Sequence, residues 1–132
     1  MRNFKFRKQE RVVSQKLIDE LFGGGHSHSM AAFPLRAVYM KRERQEGQMP
    51  VEVLISVPKK HFKHAVDRNR VKRQLREAYR RQKQLLTETV SAGFSVVIAF
   101  VWLSDQHLCS TDVDRRMRSL LVRIGERVKG ER

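Results

Sequence analysis

Apolar positions along the chain fall into two rhythms, one helical and one of strands. Leu17, Ile18, Leu21 and Phe22 make the stripe of a short helix. Ser14 is placed to cap it, and Val13 and Ile18 stand at the two positions of a hydrophobic staple. Gly23 stops it, with Gly24 and Gly25 extending the break. From Pro34 to Lys41 the rhythm becomes a strand, with Leu35, Ala37 and Tyr39 facing opposite to Arg36, Val38 and Met40. Residues 42–50 are a polar connection. A second strand runs from Val51 to Val57, with Val51, Val53, Ile55 and Val57 on one face, and Pro58 ends it. Helical spacing returns over roughly 63 to 88. There Val71, Leu75, Ala78, Tyr79, Leu85 and Leu86 share one side, and no Pro or Gly interrupts. Gly93 opens a last strand, FSVVIAFVW, apolar on both faces and therefore central, with Trp102 at its edge. Thr111 and Asp114 make a pair resembling a capping box, and Val113, Met117, Leu120, Leu121, Ile124 and Val128 form the stripe of a final helix.

Helix, strands, helix, strand, helix is the order of a small α/β sandwich of the α+β class, with helices packed on a sheet. The 132 residues suit one domain, 1–132, with residues 1–11 as a loose basic arm. In that arm Phe4 and Phe6 stand among Arg2, Lys5, Arg7, Lys8 and Arg11. Such a mixture binds RNA by ion pairing and stacking, or equally pins one ring to the core.

Charge narrows the function. On the helix of residues 63–88, Asn69, Lys72, Arg73, Arg76, Arg80 and Lys83 lie opposite the apolar side, at about 100° per residue. From Lys59 to Lys83 there are eleven Lys or Arg and only two acids, Asp67 and Glu77. Like charges at i,i+4 repel, so this density does not serve the helix itself. It calls for a polyanion, and the net charge of +14 agrees. No apolar run approaches the roughly 20 residues of a spanning helix, and the N-terminus lacks the apolar core of a signal peptide. The single Cys109 forms no internal disulfide, reads as a small, partly buried side chain, and fits a reducing cytoplasm.

A spaced set of residues in the same region resembles the signature of the bacterial ribonuclease P protein subunit. The set is Ala65-Val66, Arg68-Asn69-Arg70, Lys72-Arg73, Arg76-Glu77, Tyr79 and Arg80, preceded by Ser56-Val57-Pro58-Lys59-Lys60. The resemblance implies the order αβββαβα, and it supplies a fourth strand near residues 27–32 for a four-stranded sheet. It also implies a left-handed βαβ crossover through the basic helix, where the general rule gives a right-handed one. It implies a function too: binding the catalytic ribonuclease P RNA and the 5′ leader of precursor tRNA, to help remove that leader. Hydrolysis and the magnesium ions would belong to the RNA subunit, with none bound by the protein alone. Precursor tRNA and that RNA are the implied partners, with no membrane, DNA or obligate protein partner. The RNA-binding surface implied is Lys59, Lys60, Arg68, Asn69, Arg70, Lys72, Arg73, Arg76 and Arg80. The leader cleft would use Ile18 and Phe22 of the first helix and Arg36 of the adjoining strand. Phe22 reads equally well as core, and Ile18 lacks the ring that the family often has there.

The residues themselves hold no enzyme constellation: no paired carboxylates, no Cys/His or Ser/His/Asp arrangement, no metal-ligand cluster. His26 and His28 lack a third ligand and read as polar loop. His61 and His64 flank the basic helix, where contact with phosphate or solvent outweighs acid–base chemistry. Three rival functions share part of the pattern: a ribosomal or other structural RNA-binding protein, a DNA-binding regulator with the helix in a major groove, and a protein nuclease using His61 or His64.

Overall fold

The computed structural model describes Arg11 and residues 14–130. The arm of residues 1–10 and the staple position Val13 lie outside the described residues. The elements are α1 (Gln15–Gly23), β1 (His28–Ala32), β2 (Leu35–Glu43), β3 (Val51–Ser56), α2 (Ala65–Gln82), α3 (Gln84–Thr87), β4 (Phe94–Trp102) and α4 (Ser110–Gly130).

One sheet carries them all, in the order β1-β2-β4-β3. β4 is central as its two apolar faces require, antiparallel to β2 and parallel to β3. The β3–β4 pair is therefore closed by a crossover through α2 and α3. Strand alternation divides the core in two. Leu35, Ala37, Tyr39, Val51, Val53, Val96, Ile98 and Phe100 face α2 and α4 and meet Val71, Leu75, Tyr79, Met117, Leu120 and Ile124 there. Val38, Met40, Val97 and Ala99 face the other way, under Leu21 of α1, with Leu17, Ile18, Leu54 and Val101 packed around them. The long helices thus cover one side of the sheet fully, while nine-residue α1 covers only part of the other.

Local signals act as expected at α1. Ser14 Oγ accepts the Leu17 N–H at 3.4 Å, and Gly24 N–H closes the helix on Glu20 O at 2.9 Å. Gly25, at φ +78, takes the left-handed turn that leads the chain toward β1.

Several details differ from the periodic pattern, among them β2, which continues through Arg42 and Glu43 of the expected polar connection because both pair with β4. The long basic helix does not run unbroken to residue 88; it ends at Gln82 and resumes as one short turn, α3. Leu86 N–H bonds back three residues to Lys83 O at 3.0 Å, tightening the chain, and Leu86 becomes fully buried. The altered register carries Lys83 onto the buried side, 7% exposed rather than facing solvent, and leaves Leu85 at the surface. At the other long helix, α4 begins at Ser110, so Thr111 lies inside its first turn and is not the cap. Asp114 accepts from Arg81 Nη2 at 2.9 and 3.1 Å instead, joining α4 to α2. Trp102 closes β4 with its ring fully buried, and Cys109 is exposed, its Sγ 3.3 Å from Asp112 Oδ2.

Candidate nucleic-acid interface

α2 presents its charge because its apolar side is consumed. Val71, Leu75, Ala78 and Tyr79 are buried against the sheet and α4. That leaves Asn69, Arg70, Arg73 and Arg76 exposed, with Arg68, Lys72 and Arg80 half-buried on the flanks.

The cations divide by what they touch. Arg68 Nη1 donates to the carbonyls of Phe62 and Lys63, both at 2.9 Å, folding the loop before α2 onto the helix. Arg80 holds Glu77 at 2.7 Å. That hydrogen bond keeps the Glu77 carboxyl below the usual carboxylate range and raises the Arg80 guanidinium. Arg81 is taken by Asp114. Lys59, Lys60, Lys63, Arg70, Lys72, Arg73 and Arg76 have no hydrogen-bond or ion-pair partner among the described residues. Seven cations without an internal counter-charge among the described residues, within 18 residues of one another, form a self-repelling surface that a polyanion would neutralise.

Loops at the head of α2 are locked by contacts across the chain. His61 Nδ1 lies 2.7 Å from Asp105 Oδ1, and His107 Nε2 lies 3.2 Å from Asp67 Oδ1. The Phe62 ring stacks on His107 at 4.6 Å, and Gln74 donates to Leu108 O at 2.9 Å. His61 is therefore held between loops, and His64 occupies the N-cap position of α2 without a side-chain cap bond. Asp67, Asp105, His107, Phe62 and Gln74 position the basic helix, yet local sequence gives no sign of it. They meet across about 34 to 44 residues of chain. Among the described residues no group of three His, Cys, Asp or Glu is arranged to hold a metal ion, and no helix is long and apolar enough to cross a membrane.

The partly covered side of the sheet forms a second surface. Paired residues set its rows: Ala31 beside Arg36, Arg36 beside Val101, and Val101 beside Ser56. Along this row Ala31 and Arg36 are exposed, and Val101 and Ser56 are half-buried. Arg36 Nε donates to Ser29 Oγ at 2.9 Å, which holds the side chain over β1. Of the two α1 candidates, Ile18 is built into the apolar seam with Val38 and Val97, whereas Phe22 is 50% exposed and is not core. Glu52 stands on the same side beside Val97; burial pushes its carboxyl up, and nearby Arg42 opposes that shift. The row ends at Ser56, three residues before Lys59, so the open row and the cationic face meet at the loop that follows β3.

A family model described as Ribonuclease P matches residues 6–125. Two proteins of Porphyromonas gingivalis strains, each named ribonuclease P protein component, are similar over nearly the whole chain. One is 37% identical over 126 residues and the other 39% over 127, each alignment covering 95% of this chain and 90% of the relative. Among solved structures, the ribonuclease P protein of Thermotoga maritima superposes with a TM-score of 0.63 at 22% identity, covering 86% of this chain and 96% of that one. A Staphylococcus aureus ribonuclease P protein mutant, described as defective in mRNA degradation activity, gives 0.67 at 17% identity, covering 90% of each chain. At those identities the structures show a shared fold.

Proposed function

The chain belongs to the ribonuclease P protein family, the protein subunit of the enzyme of tRNA 5′ processing, and on that premise we propose how its two surfaces divide the work. The unpaired cations of α2 and the preceding loop seat the catalytic RNA. The open row of the sheet, from Arg36 to Ser56, takes the single-stranded 5′ leader of precursor tRNA, with Phe22 at its margin.

The observation that carries this reading is the set of seven cations without an internal partner among the described residues. Arginine suits the task, because its planar fork pairs bidentately with phosphate whereas lysine acts as a point charge. Asn69, exposed between Arg68 and Arg70, both donates and accepts and so serves ribose or backbone. Arg68 and Arg80 contribute less directly. One builds the loop that carries Lys59 and Lys60, and the other shares its charge with Glu77.

Magnesium belongs in this scheme to the RNA subunit. The acids around α2 are already engaged: Asp67 with His107, Glu77 with Arg80, Asp105 with His61, and Asp114 with Arg81. The protein's part is to neutralise phosphates where two RNAs approach each other. Less magnesium is then needed to hold substrate and catalyst together.

Binding to the RNA subunit should be steeply salt-dependent. With about six to eight phosphates neutralised, log K falls against log salt with a slope near −4 to −7, at roughly 0.7 to 0.9 per contact. Filter binding or fluorescence titration across a salt series measures it. A slope near −1 would mean that the cations of α2 are merely solvated.

A further inference from the structure

We propose that Phe33 is a stacking platform for one base of the single-stranded RNA that crosses the open row of the sheet; this rests on the reading of that row as the leader site. Phe33 is 67% exposed, more than any other Phe, Tyr or Trp among the described residues. A ring left in water adds little to the core, while its neighbours do the packing: Pro34 is buried and Leu35 fully so.

The tip that carries the ring is tied down on every side. Phe33 O accepts from Arg116 Nε at 2.9 Å, and Pro34 O accepts the Leu103 N–H at 2.8 Å. Arg123 Nη1 donates to Ala31 O at 2.9 Å. A fixed mount lowers the ordering cost of binding a flexible ligand.

Phe33 sits in the β1–β2 turn, just past the β1 end of the row proposed to take RNA. Ala31 pairs with Arg36, and Phe33 follows two residues after Ala31, at the turn that joins the two strands. Val101 and Ser56 continue the row, and Lys59 and Lys60 follow at its far end. From β1 to β3 the row spans three strand spacings, about 14 Å. An RNA strand that passes the β1–β2 turn and continues along the row would meet an aromatic ring, a guanidinium and then two ammonium groups. Aromatic faces for bases beside cations for phosphates are what single-stranded sites use. The residues beside the turn in the sheet, Ala31 and its pair Arg36, are small and charged, which suits a nucleic acid better than an apolar protein partner.

The test uses the reconstituted holoenzyme and precursor tRNAs carrying 2-aminopurine at successive leader positions. With the parent protein, one position should show quenching that Phe33→Ala removes and Phe33→Trp keeps. Phe33→Ala should weaken binding of a long-leader precursor by about 5-fold or more. A precursor whose leader stops short of that position should bind both proteins equally. If Arg36→Ala alters a leader position but Phe33→Ala alters none, the platform is wrong and the leader site stands. If no leader position responds to either, and long and short leaders bind alike, the leader site falls with it. A self-association lost on Phe33→Ala with leader binding unchanged would assign the ring to a protein contact and overturn the proposal.

Discussion

Arg73→Ala and Arg76→Ala should each weaken binding to the ribonuclease P RNA by about 10- to 100-fold while leaving the melting transition in place. Each side chain is exposed on α2 and has no internal partner among the described residues. Removing one deletes a charge-assisted contact, worth about 1.5–3 kcal/mol where the phosphate is closely held. The fold has little to lose. Arg76 stands one turn from both Lys72 and Arg80, so its removal relieves two like-charge pairs of about 0.2–0.5 kcal/mol each. Arg73 stands one turn before Glu77, a pair of similar size and opposite sign. Alanine is in addition the best helix former. Calorimetric melts beside RNA-binding curves check the split. An Arg76→Ala protein that unfolds would mean the helix is oriented the other way.

Leu75→Ala should do the reverse, costing about 2–5 kcal/mol of folding stability. Leu75 is fully buried among Val71, Tyr79, Phe100 and Leu120, where α2 meets the sheet and α4. Truncation removes apolar surface and leaves a cavity that a helix tied through Gln74, Arg81 and Gln82 to α4 and its preceding loop cannot readily collapse. At saturating RNA and low temperature, where the variant is still folded, its affinity should stay near the parent's. Denaturant melts and binding at the same temperature separate the two effects.

Much of this was legible because burial and periodicity coincide. β4 occupies Phe94–Trp102, the span its apolar run marks out, and β3 ends one residue earlier than its pattern. The stripes of α2 and α4 predicted their buried faces as far as Val71, Leu75, Ala78 and Tyr79, and throughout α4. β1 had no such signal. HSMAA is mostly exposed, and it is a strand only because its backbone pairs with β2, so it was supplied by family resemblance alone. Lys83 and Leu85 were misplaced because a single 3₁₀-like bond resets the register after Gln82, which no 3.6-residue count contains. Thr111 and Asp114 had the right spacing for a cap, but Arg81, 33 residues away, claims the acid.

The candidate site divides along the same line. Which residues carry charge is a matter of sequence; which charges are free is a matter of tertiary contacts. The Arg-Asn-Arg triplet looks uniform along the chain, yet Arg68 spends its guanidinium on two loop carbonyls while Arg70 has no partner among the described residues. The Asp105 contact likewise makes His61, one of the two histidines weighed for acid–base chemistry, a fastener between loops, and Asp67 does the same with His107.

Precursor tRNA processing at low magnesium tests the central claim most directly, that this protein binds and positions RNA while the RNA subunit carries the chemistry. A ribonuclease P RNA and precursor tRNA are mixed with and without the protein, and 5′ maturation is scored. The protein should raise cleavage strongly in the presence of the RNA subunit and give none without it, and His61→Ala and His64→Ala should leave that pattern unchanged. Cleavage of precursor tRNA by the highly purified protein alone, abolished by either histidine substitution, would contradict the account.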